Sequence, residues 1–326
     1  MQIVAIVAKG AEEEFQKEVK DLLNVPAKIG REIVTLELTK EQTIRLCYFA
    51  QIPSRILLID DFKNWIKEDT TFAVRGSNME DNKDLGAEIV ELTKAPVDLK
   101  NPKVTVYNFN DTKGIDLTGD VSKRDYRVFT HRHTLKGTTA STLLRYANFT
   151  GDQTVLDPFA KDGTIILEAA HQSTHKSVRS FDHEAMPITN LLEVDWDEYI
   201  DNLEETKCAT LYSVSHDLRD VHAMKKNAKI AGLNKEITFS RQDIGWLDLK
   251  FEDMGIDMIV SHLPKLSPPV WKDLCKAATY ITKKIVVLVD LDFEIENEHF
   301  TIENEKNLSI GKDIRRMITL IQIKKK

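Results

Sequence analysis

The chain has 326 residues, 42% of them hydrophobic and 30% charged, with a net charge of −7. That is the make-up of a soluble, core-forming protein with room for two or three domains. No apolar run approaches the roughly 20 residues of a membrane span. Cys47, Cys208 and Cys275 are far apart and form no CxxC pair, which excludes a disulfide framework or Cys-based zinc site and predicts a cytoplasmic setting.

The opening MQIVAIVAKGAEEEF lacks the basic n-region and cleavage site of a signal peptide and reads as a strand entering a helix. Within residues 1–65, IVAIVA, EIVTLEL and RILLIDDF have strand patterns, and EEEFQKEVKDLL and EQTIRLCYFA have helical spacing, which predicts a ferredoxin-like α+β unit. Residues 66–120 form a second α+β module, with strands TFAVRGS, KVTVYNFN and GIDLTGD and the helix LGAEIVELTKA. Residues 121–150 form a basic connector that turns helical through STLLRYANF. From 151 to 326 strands alternate with helices, the pattern of a parallel, doubly wound sheet. TVLDPF, CATLYSVS, ITFSRQD, MIVSHL and KIVVLVDL are its strands, and TLIQIKK is expected as an edge strand. The segment 172–206 interrupts this rhythm as an insertion, with Trp196 and Tyr199 as expected anchors.

The residues with the clearest chemical signal are VLDPFAKDGTIILEAA, 155–170: a strand, a turn and a helix, the usual seat of a nucleotide-like cofactor. Such turns favour glycine where the backbone must approach a ligand. Here Gly163 stands alone and Lys161 sits in the turn. The nine histidines form no HExxH or Cys/His metal spacing, so no metal is expected. A negative chain can still bind nucleic acid through a basic patch, and Lys123, Arg124, Arg127, the run His131-Arg132-His133, Lys136 and the tail Lys324-Lys325-Lys326 supply candidates.

The order of parts resembles the THUMP-containing, S-adenosylmethionine-dependent RNA guanine-N2 methyltransferases, which include archaeal tRNA position-six enzymes and bacterial large-subunit rRNA relatives. FAVRGS with LGAEIVELTKAPVDLKNPKVTVYNFND is similar to a THUMP domain, GIDLTGDVSKRDYRV to the segment leaving it, and LDPFAKDGTIILEAA to the first cofactor motif of a Rossmann-like methyltransferase domain. The resemblance implies cofactor contacts at Asp157, Phe159, Lys161, Gly163 and Thr164 in the first turn. It further implies Ser215 and Asp217 after the second strand, and Asp243 and Ile244 after the third. Ala160, Lys161 and Asp162 replace the family's Cys-Gly-Ser, and Ser215 replaces the acid that binds the ribose hydroxyls. Asp217 reads on its own as the cap of a helix beginning at Leu218. The tetrapeptide that positions the guanine amine is His262, Leu263, Pro264 and Lys265, in place of Asn-Pro-Pro-Tyr. It would be the catalytic motif of an active enzyme. A THUMP module implies tRNA as partner, with phosphates meeting Arg75, Lys123, Arg124, Arg127, Arg132 and Lys136. Together these features predict an RNA-binding family member with weakened or lost S-adenosylmethionine chemistry and room for a protein partner. The alternative is an active tRNA or rRNA guanine-N2 methyltransferase with divergent motifs.

Overall fold

The computed structural model describes residues 1–131, 133–201, 209–251, 255–265 and 267–323. Arg132, Cys208, the lysine tail 324–326 and part of the expected insertion lie outside them. Strands β1 (Gln2–Ile6), β2 (Lys28–Ile29), β3 (Ile33–Glu37), β4 (Arg55–Ile59), β5 (Phe72–Gly76), β6 (Val104–Phe109) and β7 (Thr112–Asp116) form one sheet in the order β2-β3-β1-β4-β7-β6-β5. All its pairings are antiparallel except β5 with β6. The two N-terminal modules therefore share a sheet, joined where Leu57 and Leu58 of β4 lie against Asp116 and Ile115 of β7.

The second sheet contains β8 (Val155–Asp157), β9 (Leu211–Ser215), β10 (Ile237–Arg241), β11 (Met258–Leu263), β12 (Lys284–Asp290), β13 (Phe300–Ile310) and β14 (Asp313–Gln322), in the order β10-β9-β8-β11-β12-β14-β13. The five strands β8 to β12 are mutually parallel. Helices cover a parallel sheet on both faces, which is why MIVSHL and KIVVLVD are near-continuous apolar runs rather than alternating ones.

The C-terminal strands differ from expectation. TLIQIKK is not an edge: β14 begins earlier, at Asp313, and pairs antiparallel with β12 on one side and β13 on the other. The edge is β13, FTIENEKNLSI, which sequence patterning missed because most of it is exposed and carries no apolar alternation. This hairpin also reaches the N-terminal sheet. Lys306 pairs with Glu13 and Glu14 at 2.7 and 2.8 Å, and Ser309 N–H donates to the Lys9 carbonyl. Gly10 makes the approach feasible, since a Cβ there would stand 2.2 Å from the Asn307 carbonyl oxygen.

In the expected insertion, Trp196 is buried with its ring 5.3 Å from that of Tyr48 and 5.7 Å from that of Tyr199. The segment is pinned to the N-terminal domain through these rings.

Candidate functional site

Strand order reverses direction between β8 and β11, so their carboxyl ends flank the crevice where open α/β sheets hold ligands. Asp157 ends β8, Ser215 ends β9, Asp243 follows β10 by two residues and His262 lies near the end of β11. The fold thus brings the expected cofactor and amine positions to one edge of the sheet.

The first turn is held from within. Asp157 is buried, accepts from Ser261 Oγ at 2.6 Å and from Phe159 N–H at 3.0 Å, and is pushed up from the usual carboxylate range by desolvation. Asp162, also buried, accepts from both the backbone and the hydroxyl of Thr164, the first residue of the helix Thr164–Thr174, whose N-cap is Gly163. Gly163 has φ +83, and a Cβ there would meet Met224 Cβ at 2.8 Å, so glycine is required by both backbone and packing.

Lys161 adopts φ 50, a left-handed conformation that costs a side-chain-bearing residue about 1 kcal/mol. Its side chain turns inward. Nζ donates to the carbonyl of His133 at 3.2 Å and to that of His262 at 3.1 Å, clamping the connector and the end of β11 onto the turn. Burial depresses its ammonium pKa. Asp157, Phe159, Lys161, Thr164 and His262 surround a cavity of only about 10 Å³, the space of about one water.

At the end of β11, Leu263 is packed in the core, while Lys265 is exposed, has φ 53 and donates its N–H to Asp290. His262 is buried and hydrogen-bonded through Nε2 to Arg315 of β14. Desolvation, with Lys161 and Arg315 nearby, pushes its pKa down to about 2, so the ring is neutral. Arg315 in turn lies 3.5 Å from Asp290. Sequence reasoning missed Arg315, because only the pairing of β14 with β12 brings it opposite Asp290.

The remaining cofactor positions stand apart from this cavity. The Ser215 hydroxyl donates to Asp220 at 2.9 Å and accepts from Asp217 N–H at 3.2 Å, so it is engaged within its own loop. Asp217 caps the helix Leu218–Ile230 by accepting from Arg219 N–H. Asp243 is exposed and Ile244 half-buried. Among the described residues, no cluster of three or more His, Cys, Asp or Glu side chains could hold a metal ion.

The basic set divides. Arg75, Lys123 and Lys136 are exposed. Arg124 is a correction: its side chain is fully enclosed, paired with Glu168 at 2.6 Å, and cannot meet a phosphate. Arg127 is half-buried, bonded to Thr134 and 3.7 Å from Asp162, so it braces the turn. Arg132 lies outside the described residues.

Glu168 itself is another residue that sequence reasoning passed over. Its carboxylate receives Arg124, Tyr126 Oη at 2.6 Å, Ser141 Oγ at 2.7 Å and Gln51 Nε2 at 2.8 Å. Burial opposes its ionisation, but the guanidinium and these donors override that and hold its pKa down at about 2. The available signal was a lone carboxylate inside the apolar helix TIILEAA.

The parallel sheet with an antiparallel terminal hairpin and a switch-point turn defines a class I methyltransferase fold. TrmN from Thermus thermophilus aligns over 99% of both chains at a TM-score of 0.72 and 19% identity. SMU.472, solved with SAH, aligns over 100% of this chain and 99% of its own at 0.77 and 16%. Residues 124–266 match the RMKL-like, methyltransferase domain. Similar curated proteins are the tRNA (guanine(6)-N2)-methyltransferase of Methanocaldococcus jannaschii, 28% identical over 63% of this chain and 59% of its own length, and the ribosomal RNA large subunit methyltransferase K/L of Vibrio parahaemolyticus, 22% identical over 81% and 44%. The chain thus spans about half the length of these relatives.

Proposed function

We propose that this chain is an RNA-binding member of the RNA guanine-N2 methyltransferase family in which methyl transfer is weakened or lost. tRNA is the RNA we assign, and residues 66–120 act as a THUMP module in a cytoplasmic protein. The observation that carries the reading is the inward Lys161 side chain, hydrogen-bonded to two carbonyls across the first turn. The cavity beside Lys161 holds only about 10 Å³, the space of about one water. The turn in this arrangement does not fit the methionine portion of the cofactor, and Ser215 has its hydroxyl already committed to Asp220 and Asp217.

The amine-binding tetrapeptide supports the same reading. An exocyclic amine is positioned by acceptors that hold its lone pair toward the methyl group. His262 Nε2, the acceptor such an amine would need, is already taken by Arg315. Leu263 is in the core, and Lys265 offers no ring for a base to stack on. What remains for RNA is the exposed cation set Arg75, Lys123 and Lys136, and the activities named for the two curated relatives direct the choice toward RNA.

A second reading, an active methyltransferase with divergent motifs, is favoured by the retained Asp157, the left-handed Gly163 and the exposed Asp243. Calorimetric titration with S-adenosylmethionine separates the two. The proposed function predicts no heat at millimolar cofactor and no methyl incorporation into tRNA, with tRNA binding that weakens steeply with salt. Micromolar cofactor affinity overturns the loss of catalysis; absent or salt-independent tRNA binding overturns the RNA partner.

A further inference from the structure

The N-terminal sheet ends at β5, and part of that edge is open. Phe72 turns its backbone outward and is met there by the chain itself. Its N–H donates to the Pro96 carbonyl at 3.1 Å and its carbonyl accepts from Asp98 N–H at 2.9 Å, a single parallel bridge to Val97. Beyond Val97 this segment turns away, because the Asp98 carboxylate takes the N–H groups of Lys100 and Asn101. Backbone groups alternate in direction along a strand, so Val74 and Gly76 face outward like Phe72, while Thr71, Ala73 and Arg75 turn toward β6. Asn82 Nδ2 takes the Gly76 carbonyl at 3.3 Å. Among the described residues, the N–H and C=O of Val74 and the N–H of Gly76 have no hydrogen-bond partner. An open edge of this kind is a template for a further strand.

A cleft of about 970 Å³ lies along the edge, between β5, the helix Met79–Thr93 and the pair Val97 and Leu99. Its floor is apolar. Val74 and Val90 are half-buried, and Gly86 and Ala87 keep the helix surface low, with Val74 Cγ2 3.8 Å from where a Gly86 Cβ would stand. At the rim Met79, Val97 and Leu99 are 74%, 51% and 62% exposed. Contiguous exposed apolar surface marks an interaction site. The charged residues that line the cleft are Arg75, Lys83, Lys94 and one acid, Glu91. The other acids of the helix, Glu80, Asp81, Asp84 and Glu88, do not line it. On a chain of net charge −7 the cleft is therefore locally positive.

We propose that this cleft docks an extended, acidic segment of a partner protein, which adds a strand to β5. The main chain of the segment bonds to Val74 and Gly76, alternate apolar side chains enter the cleft, and carboxylates beside them meet Lys83 and Lys94. A second copy of this chain fits poorly, since a symmetric contact on the patch would bring lysines against lysines. RNA fits poorly too: Phe72, the aromatic residue that lines the cleft, is fully buried and leaves no ring for a base to stack on. The inference rests neither on the state of the S-adenosylmethionine site nor on tRNA as the partner.

The test is fluorescence anisotropy of a capped, fluorescein-labelled nonapeptide that alternates valine and glutamate, held at nanomolar concentration and titrated with the full chain. Saturable binding in the micromolar range is expected. Ala87→Glu, at an exposed position within the cleft, should weaken it about tenfold or more by setting a carboxylate against those of the peptide. Lys83→Glu should weaken it in the same direction, and Lys225→Glu, exposed elsewhere, should leave it unchanged. Methylating alternate amide nitrogens of the peptide should abolish binding; retained binding rules out strand addition. No binding at submillimolar chain, or binding that Ala87→Glu leaves intact, overturns the site. If tRNA displaces the peptide and Ala87→Glu weakens tRNA, the cleft belongs to RNA. If sedimentation shows a dimer that Ala87→Glu abolishes, it belongs to a second copy. Either result overturns the partner assigned here.

Discussion

The helix Thr164–Thr174 carries two buried polar clusters, one at each side of its first turns, and they are built on opposite principles. Around Glu168 a single carboxylate meets one guanidinium, a phenol, a serine and an amide, with charge balanced and both charged side chains fully enclosed. Around Lys161 three basic side chains, Lys161, His262 and Arg315, gather near the buried Asp157, and the lysine backbone is held left-handed. The Glu168 cluster is an adhesive: Gln51 and Arg124 bring the N-terminal sheet and the connector onto the helix. The Lys161 cluster faces the crevice at the switch point of the sheet, where open α/β sheets hold ligands, and it closes a space rather than joining domains. A complete network tolerates no deletion, because each loss strands a buried charge; a strained one can be relaxed at little cost.

Substitutions should expose that contrast. Glu168→Ala leaves Arg124 buried without its counter-ion and should destabilise the chain by about 3–5 kcal/mol, read from urea unfolding; a loss below about 1 kcal/mol would break the distinction between the clusters. Next in size is acid sensitivity. His171 and His262 are held neutral when folded, with pKa values about 4 and about 2 against 6.5 when unfolded. The unfolded state then binds more protons, so stability is full above pH 6.5 and falls as pH drops below it, by about 1.4 kcal/mol per pH unit for each histidine at full effect. Asp157, raised by burial from 3.8 to about 6, works the other way between those values and offsets about one histidine, so the net fall below pH 6 should be about 1.4 kcal/mol per pH unit. A flat profile there would show that the histidines protonate within the fold.

Lys161→Gly is expected to be nearly neutral, within about 1 kcal/mol, because relief of the left-handed backbone offsets the two lost hydrogen bonds. Its further readout is cofactor titration: if heat with S-adenosylmethionine appears only in this variant, the lysine is what closes the site. Smallest in stability are Arg75→Ala and Lys123→Ala, both exposed and expected within about 0.5 kcal/mol. Each should lower the slope of tRNA affinity against salt by about 1 if it meets a phosphate, whereas Arg124 variants should lose fold stability instead.

Much of the architecture was legible in the chain. The helix Glu12–Leu23 and the strand Met258–Leu263 have the limits that periodicity assigned, because an amphipathic face and a buried run leave direct marks in the order of residues. The Asp217 cap was legible for the same local reason. The edge strand β13 was not, since an exposed strand carries no apolar pattern, and TLIQIKK was misplaced at the edge as a result. Nor did sequence separate Arg75 and Lys123, which face solvent, from Arg124, which is enclosed.

By itself the sequence pointed to the type of fold and to its unusual positions: the strand-turn-helix at 155–170, Lys161 inside its turn, and His262 near the end of a buried strand. These are local facts of residue identity. What those residues do was decided only by tertiary structure. The direction of the Lys161 side chain depends on carbonyls at positions 133 and 262, and the state of His262 on an arginine at 315. Contacts between such distant residues are set by sheet order and burial, and desolvation, which shifts every titratable group in both clusters, exists only once the chain is packed.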